Sequence, residues 1–386
     1  MIFILGILGL FYTLAMGTLV YGFTRQKTFS SNKHKETGFE GNTSVTQFSI
    51  VIPFRNEEMN LPTLLNSLQQ LTYPTSKFEV ILVDDASEDK SEELIKKYLI
   101  KNPALDNFRI IKNVRTTASP KKDAIKTAIN SANNDWILTT DADCSFNAQW
   151  LNIYDNYIQL HNPSMIAGPV LYSANGNFIS QFQLLDGLSL QAVTMSSFGL
   201  KIPILCNGAN IAYKKDAFET VNGFSDNDHI ASGDDIFMLE KMLQLDKTKV
   251  HFLKSEHAIV RTQPQPTWPE VINQRIRWAS KTKHQRNGIS QSLGMLVFLT
   301  NLFIIVGVLF AMNDLKFLPY FLAFFLLKFI IDLSIILMTS RFFKAHIKGI
   351  YFMFSALCYP YIIVGVVLGS LIGTYTWKGR KFGNLP

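Results

Sequence analysis

Apolar segments at both ends of this 386-residue chain enclose a long polar middle, and this division limits the folds open to it. Residues 1–23 carry no charged side chain and are long enough to cross the roughly 30 Å of hydrocarbon in a bilayer. After residue 285 the chain is apolar again, with candidate spans at 293–312, 317–338 and 351–377. We therefore predict an integral membrane protein with a transmembrane anchor at 1–23 and a C-terminal membrane region at 286–377.

Charged residues beside the first apolar segment predict its orientation. No basic residue precedes the segment, which argues against a cleavable signal peptide, whereas Arg25 and Lys27 follow it directly. By the positive-inside rule, the chain from residue 24 onward then faces the cytoplasm. Residues 24–47 are polar and rich in Ser, Thr, Asn and Lys, so we interpret them as a linker before a cytoplasmic domain at 48–285.

The C-terminal membrane region leaves two questions open. Lys328 and Asp332 lie four residues apart in the second of its spans, where charges are costly, and they form either a functional site or a structural ion pair. The last span has basic residues on both sides, including those of a tail at 378–386, and Pro360 near its middle. A single crossing, two crossings and a re-entrant segment all remain open for it.

Alternating strand and helix patterns fill the middle of the chain. Apolar strands are predicted at 48–54, 78–85, 108–113 and 136–143, with helical patterns between them. Such alternation predicts an α/β domain with a mostly parallel central sheet and right-handed crossovers. In sheets of this kind ligands bind beyond the carboxyl ends of the strands. Four acidic residues lie at that edge: Asp84, Asp85, Asp141 and Asp143.

Composition excludes several other classes of protein. The net charge of +7 suits either nucleic acid or an anionic membrane surface. Because the basic residues cluster at the membrane flanks and no basic–aromatic sheet pattern appears, we predict no nucleic-acid partner. The three cysteines, Cys144, Cys206 and Cys358, form no CxxC pair, so neither a disulfide framework nor a zinc site is expected.

Two acidic motifs lie at the strand edge. "VDDAS" (83–87) places a carboxylate pair at a strand end, either to bind a ligand or to cap the next helix. "TTDADC" (139–144) puts Asp141 and Asp143 on one turn, either as a polar turn or as ligands for Mg2+ or Mn2+, which prefer carboxylate oxygens. An ion held by two carboxylates retains coordination sites for a diphosphate.

Two further motifs lie later in the chain. "SGDD" (232–235) precedes an apolar helical run, and its acids are either helix caps or a carboxylate base that accepts a hydroxyl proton. In "NQRIRW" (273–278), the spacing of Gln274, Arg277 and Trp278 puts them on one helix face. Arg and Trp suit a diphosphate and a sugar ring, although both are also common beside membranes.

Taken in order, these four motifs resemble the family 2 inverting glycosyltransferases, a group that includes cellulose, hyaluronan and chitin synthases and ceramide glucosyltransferase. The resemblance covers residues 48–281 and the flanking membrane segments, and it also rests on "SIVIPFRNEE", "KKDAIKTAIN", "CNGANIAYKKDAFETVNGF" and "WKGRKF". It implies a GT-A type, Rossmann-like nucleotide-sugar domain flanked by transmembrane helices. Two positions depart from the family pattern: Asp234, where a Glu often precedes the base, and Lys281, where a Gly often follows the RW segment.

The resemblance implies a UDP-sugar donor and a set of donor-binding residues. Asp85 would accept a hydrogen bond from the uracil ring, and Pro53 and Glu57 would shape that end of the pocket. Lys121, or alternatively its neighbour Lys122, would lie near the nucleotide or its phosphates.

A divalent ion and an arginine are implied at the diphosphate. Asp143 would coordinate Mg2+ or Mn2+ directly, and Asp141 would contact the ribose or a metal-bound water. The ion would neutralise charge that develops on the leaving UDP. Arg277 would stabilise the departing diphosphate, with Arg275 as the second choice.

The resemblance also implies the reaction. Asp235 would be the catalytic base that takes a proton from the acceptor hydroxyl, so that one displacement inverts the anomeric carbon. The acceptor-side residues would be Gly208, Ala209, Asn210, Asp234, Gln274 and Trp278.

The implied partners are a nucleotide-sugar donor, a lipid or glycan acceptor and the membrane, and we expect a bacterial inner-membrane location with the catalytic domain in the cytoplasm. With about three C-terminal apolar segments, we favour a lipid-linked or short acceptor over the growing chain of a processive polysaccharide synthase. A non-catalytic, nucleotide-sugar-binding membrane scaffold is the alternative from another class. Loss of Asp143 or Asp235 would be its mark, and both residues are present.

Overall fold

A computed structural model of the chain divides into two compact units. The first unit comprises residues 1–26, 172–205 and 264–386, and the second comprises 27–171 and 206–263. The described residues are 1–30, 45–174, 176–228, 230, 232–282, 285, 287–372 and 374–383. Most of the predicted linker, at 31–44, and the end of the predicted tail, at 384–386, lie outside the described residues.

Helices and strands are numbered along the chain. The helices are α1 (Ile2–Arg25), α2 (Leu61–Gln69), α3 (Ser91–Lys101), α4 (Pro120–Ser131), α5 (Trp150–His161), α6 (Phe178–Gly199), α7 (Lys215–Thr220), α8 (Asp234–Asp246), α9 (Trp268–Thr282), α10 (Gly288–Asn313), α11 (Leu318–Phe343) and α12 (Gly349–Ile372). The strands are β1 (Phe48–Phe54), β2 (Phe78–Asp84), β3 (Phe108–Lys112), β4 (Trp136–Thr139), β5 (Cys144–Phe146), β6 (Met165–Ala167), β7 (Val170–Tyr172), β8 (Ile211–Lys214), β9 (Val250–Phe252), β10 (Val260–Thr262), β11 (Thr374–Trp377) and β12 (Arg380–Gly383).

The second unit is built on a seven-stranded sheet in the order β3-β2-β1-β4-β8-β6-β9. The four strands β3, β2, β1 and β4 pair in parallel, and β8 runs antiparallel to β4 and β6. The central strands β1 and β2 are apolar and almost wholly buried, as expected of parallel strands covered on both faces. The predicted α/β fold with a mostly parallel sheet is confirmed.

Three of the four predicted strands end earlier than their apolar patterns suggest, and the acidic motifs follow in turns. We predicted a strand at 136–143, but β4 ends at Thr139, because the chain turns there and the amide of Cys144 donates to the carbonyl of Asp141 at 3.2 Å. The next strand, β5, pairs antiparallel with β10 in a small second sheet. Asp141 and Asp143 are therefore held on a tight turn between two sheets of this unit.

Among its described residues, the first unit contains four helices that are long and apolar enough to cross a membrane: α1, α10, α11 and α12. Two other helices belong to the same unit. The 22-residue α6 packs against α1 and α11, and α9 packs against α12. Because it lies among apolar helices, α6 is buried over most of its length although its sequence includes Asp, Gln, Ser and Thr.

The last apolar stretch is a single helix, α12, that continues through Pro360 and ends at Ile372. Residues beyond it, which the apolar pattern assigns to the span as far as 377, form the hairpin of β11 and β12. Lys378 and Gly379 both have positive φ, at 48° and 77°, which is the backbone of a two-residue type I′ turn. Glycine at the second position of the turn adopts this positive φ without a steric cost, and so the chain reverses there.

Candidate active site

The acidic pair after β2 divides its two carboxylates between different tasks. Asp84 accepts a hydrogen bond from the amide of Ser87 at 2.9 Å and forms an ion pair with Lys112 at 2.7 Å. Asp84 therefore stabilises the turn that follows β2. Asp85 accepts from Asn113 Nδ2 at 2.7 Å and from Arg115 Nε at 2.6 Å. The carboxylate that the resemblance assigns to the base of the nucleotide is therefore oriented by the loop after β3.

Pro53 and Glu57 lie at the same edge of the sheet. Pro53 is in β1, in register with Val83 of β2. Glu57 is in the turn before α2, where its amide donates to Ser91 Oγ at 2.8 Å and its carboxylate accepts from Asn60 Nδ2 at 2.7 Å.

Lys121, in the first turn of α4, brings two of the acidic motifs together. Its ammonium lies 2.7 Å from Asp141 Oδ1 and 3.2 Å from Asp234 Oδ2. Burial alone would lower the pKa of Lys121, but the negative charges of Asp141 and then Asp234 raise it well above its ordinary value. Lys121 is therefore a permanent cation between the DxD turn and the start of α8.

The neighbouring Lys122 has a different set of partners. Its ammonium donates to the backbone carbonyls of Asn227 at 2.6 Å and Ile230 at 2.9 Å, and to Asn227 Oδ1 at 3.0 Å. It also lies 4.9 Å from the ring centre of Phe237 in α8. Lys122 thus holds the loop that precedes α8, and of the two lysines only Lys121 pairs with the acidic motifs.

Asp143 lies in a strongly negative environment. Burial, followed by the charges of Asp141 and Glu57, raises the pKa of Asp143 to about 7. One oxygen accepts from Thr262 Oγ1 in β10 at 3.1 Å, and the other lies 3.5 Å from Cys144 Sγ. A positive charge placed here would be strongly favoured, because it would relieve the repulsion among these carboxylates.

Asp234 and Asp235 are the first two residues of α8, where the helix dipole favours negative charge. Gly233, which precedes them, has φ of 92° and so allows the abrupt entry into the helix. Asp235 Oδ1 accepts from the amide of Ile236 at 2.8 Å, and its backbone carbonyl lies 3.4 Å from Cys206 Sγ.

Gly208, Ala209 and Asn210 form one turn of 3-10 helix before β8. A Cβ atom on Gly208 would lie only 2.7 Å from Asp234 Oδ2 and 3.4 Å from Lys121 Nζ, so a side chain here would have to displace the Asp234 carboxylate. The Asn210 side chain is fully buried: it donates to two backbone carbonyls and accepts from Trp150 and Tyr154. Among these three residues, Gly208 contacts the acidic motifs directly, and Asn210 stabilises the turn that positions it.

The QRIRW segment lies in α9 of the first unit. Trp278 is stacked by the guanidinium of Arg275 at 4.3 Å, and Gln274 Oε1 accepts from both Arg275 and Tyr172. Arg277 lies 5.7 Å from the ring centre of Trp377 in β11. Gln274 and Trp278 therefore share a face, as their spacing predicts, and Arg275 makes the contacts that join them.

Several residues that hydrogen-bond to or pair with the candidate site residues were not predicted from the sequence. They are Asn113, Arg115, Asp186, Asn227 and Thr262. Asp186 could have been noticed in the sequence, because it is the one charged residue in the otherwise uncharged run 178–199. The others are polar residues in loops or at strand ends, where their partners are far away along the chain.

The sheet and the assembled motifs define the second unit as a GT-A-like α/β transferase domain. Residues 49–221 match the family model described as Glycosyl transferase family 2. Residues 49–221 therefore form a family 2 glycosyltransferase domain. The described residues also include four helices long and apolar enough to cross a membrane.

Similarity to individual proteins agrees with this assignment. The chain is 24% identical over 238 residues to glycosyltransferase AglE of Haloferax volcanii, covering 61% of this chain and 73% of AglE. It is 38% identical over 100 residues to the undecaprenyl-phosphate 4-deoxy-4-formamido-L-arabinose transferase of Photorhabdus laumondii, covering 26% of this chain and 30% of that enzyme. Among solved structures, mannosyltransferase PcManGT of Pyrobaculum calidifontis in complex with GDP-Man and Mn2+ is 16% identical, with a TM-score of 0.55 over 95% of this chain and 99% of that chain. That structural likeness supports the fold.

Proposed function

We propose that this chain is a membrane-bound, inverting glycosyltransferase that moves a sugar from a UDP-sugar to a lipid-linked or short glycan acceptor. The observation that carries the proposal is the position of Lys121, which joins the DxD turn to the GDD helix start within hydrogen-bonding distance. Three motifs that are far apart in the sequence thus meet at one place, at the carboxyl ends of parallel strands. A nucleotide diphosphate and a divalent ion require such a mixture of fixed carboxylates and a lysine.

The residues at this place fit a divalent cation. Burial first, and then the charges of Asp141 and Glu57, raise the pKa of Asp143, so a bound cation would stabilise its carboxylate. Carboxylate oxygens are the ligands that Mg2+ and Mn2+ prefer. Among the described residues no group of three His, Cys, Asp or Glu side chains could hold an ion. Mg2+ in proteins usually keeps waters and substrate phosphates among its ligands. Asp143 would hold it, assisted by Asp141, and when bound it would stabilise charge on the leaving diphosphate.

The protein residues divide the remaining work between donor and acceptor. Asp85, fixed by Asn113 and Arg115, accepts a hydrogen bond from the uracil ring, beside Pro53 and Glu57. Lys121 supplies positive charge next to the phosphates. Gly208 has no side chain and so leaves room for the Asp234 carboxylate beside it, and by the family resemblance it lines the acceptor side.

Asp235 is the base of the reaction. It takes the proton of the acceptor hydroxyl while that oxygen forms a bond to the anomeric carbon, and the bond between this carbon and the diphosphate oxygen breaks on the opposite face. The nucleotide leaves with the electron pair of that bond. A single displacement of this kind inverts the configuration at the anomeric carbon.

Two observations support the acceptor class and the orientation. The Photorhabdus relative is named as a transferase to undecaprenyl phosphate, a lipid-linked acceptor. Arg25 and Lys27 follow the first apolar helix, which favours a cytoplasmic position for the domain after it.

The proposal is tested by nucleotide release from the purified, detergent-solubilised protein with a panel of UDP- and GDP-sugars, membrane lipid extract and Mn2+ or Mg2+. We expect one donor to be turned over, chelation with EDTA to stop release, and Asp235→Asn to lower kcat at least 100-fold. Asp246→Asn, at the exposed far end of the same helix, is the matched control and should retain wild-type turnover. Binding of UDP without turnover of any donor would indicate a scaffold, and turnover that survives Asp235→Asn would exclude this base.

A further inference from the structure

A buried ion pair joins α9 to α6 inside the first unit. Arg275 Nε lies 2.7 Å from Asp186 Oδ2, and both side chains are only 7% exposed. An arginine removed from water in this way is stable only because its charge is matched, since a single buried charge is strongly unfavourable. Asp186 lies outside the four motifs, and Arg275 lies inside the fourth but is only the second choice for the diphosphate in the family resemblance.

Arg275 is also the centre of contacts within the QRIRW segment. Its guanidinium stacks on Trp278 at 4.3 Å, and its Nη1 donates to Gln274 Oε1. The Tyr172 hydroxyl donates to the same Gln274 oxygen at 3.3 Å and lies 3.4 Å from Arg275 Nη1. The rotamers of Gln274 and Trp278 therefore depend on where the guanidinium is held.

Asp186 has a second neighbour, Tyr359, in the apolar helix α12. The Tyr359 hydroxyl of α12 interacts with the Asp186 carboxylate, and the ring of Tyr359 lies 5.6 Å from the Lys328 ammonium of α11. Lys328 pairs with Asp332 at 2.5 Å, and Asp332 accepts from Tyr12 of α1. The four charged residues of this network, Arg275, Asp186, Lys328 and Asp332, sum to zero, so it requires no further ion.

We propose that Asp186 and Arg275 form a positioning pair, which fixes Gln274 and Trp278 of the acceptor side and ties α9 to the apolar helix α12. Without the carboxylate, the guanidinium loses its fixed partner, and the contacts to Gln274 and Trp278 are no longer held in one geometry. The kinetic consequence rests on the proposed function of the enzyme, but the structural consequence does not.

The structural arm uses 19F NMR of the 5-fluorotryptophan-labelled full chain in detergent, with the Trp278 signal assigned by Trp278→Phe. We expect Asp186→Asn to shift the Trp278 resonance by more than its linewidth. Asp314→Asn is the control, because it removes an exposed carboxylate of the same unit that lies outside this network and should leave the Trp278 resonance in place. An unmoved Trp278 resonance in Asp186→Asn would overturn the proposal.

The double variant Asp186→Asn/Arg275→Gln separates positioning from simple stabilisation. It leaves no unpaired buried charge, so its melting temperature should recover towards the wild-type value even where Asp186→Asn folds poorly. Its acceptor-dependent kcat/KM should nevertheless stay at least tenfold below wild type, because glutamine cannot stack on Trp278 and bind Gln274 together. In the single variant Asp186→Asn, the Kd for UDP with Mn2+ should change less than twofold, since Asp85 and Asp143 belong to the other unit.

Recovery of kcat/KM to within twofold of wild type in the double variant would show that the pair only stabilises the fold, and would overturn the proposal. If the proposed function is wrong, the result is different: the wild-type protein itself would neither bind UDP nor release nucleotide. In that event the Trp278 resonance still decides whether Asp186 positions the QRIRW segment.

Discussion

Two adjacent lysines at the start of α4 bind different partners, and this difference gives each a distinct expected effect. The ammonium of Lys121 lies between Asp141 and Asp234, whereas that of Lys122 donates to Asn227 and to the carbonyl of Ile230. A helix turns by about 100° per residue, so neighbouring side chains leave it in different directions. The sequence alone leaves the choice between the two open.

We expect Lys121→Met to lower kcat/KM for the donor about 100-fold, equivalent to about 2.7 kcal/mol of transition-state binding, because it removes the cation beside the phosphates. Lys122→Met is the matched comparison. It should lower the free energy of unfolding by about 2–3 kcal/mol through loss of charged hydrogen bonds, with the KM for the donor changed less than threefold. Steady-state kinetics and denaturant unfolding measure the two effects. Equal kinetic losses in both variants would contradict the separation.

At the residue scale, the sequence predicted the positions of the acidic residues in the fold better than it predicted their individual partners. The order of motifs placed Asp85, Asp143 and Asp235 at strand ends or a helix start, and the structure has them there. The hydrogen bonds that orient Asp85 come from Asn113 and Arg115, about 30 residues away, and no local pattern indicates such a pairing.

The helices α1 and α6 approach each other through glycine. A Cβ atom on Gly199 would lie 1.9 Å from the carbonyl oxygen of Gly22, and one on Gly22 would lie 2.4 Å from that of Ser196. These are backbone atoms, which cannot move aside unless the two helices separate. Small residues have the same role at other helix contacts in membranes.

Gly199→Ala should therefore destabilise the first unit by about 1–3 kcal/mol, the usual cost of overpacking. Gly17→Ala is the matched control on α1, because an added Cβ there meets nothing within 4 Å. Thermal unfolding in detergent measures both variants, with a lower melting temperature expected for Gly199→Ala alone. An unchanged melting temperature in Gly199→Ala would show that the helices do not pack this closely.

At the scale of elements, the strands and helices of the sheet domain follow from apolar periodicity, and their ends do not. The pattern for β4 continues to Asp143, but the acids turn away at Thr139. The end of α12 was missed for a related reason: Tyr375 and Trp377 are apolar enough to extend a span, but the turn at Lys378 and Gly379 pairs them in a hairpin. Composition cannot distinguish these two outcomes.

At the scale of the whole molecule, the division between membrane helices and an α/β domain was evident in the sequence. The sequence pattern placed the QRIRW segment with the domain at 48–285, whereas packing places α9 with the apolar helices of the first unit. The long helix α6 was not foreseen as part of that unit, because its polar residues hide how deeply it is buried. Its Asp186 could be recognised as a partner of Arg275 only from the three-dimensional contact.

In the proposed reaction, a single displacement takes place at the anomeric carbon of the donor, with Asp235 as the base. Proton NMR of the purified product, with the donor identified in the nucleotide-release assay, reports the anomeric configuration of the transferred sugar directly. We predict that the transferred sugar has the anomeric configuration opposite to that of the donor. A product that retains the donor configuration would contradict it.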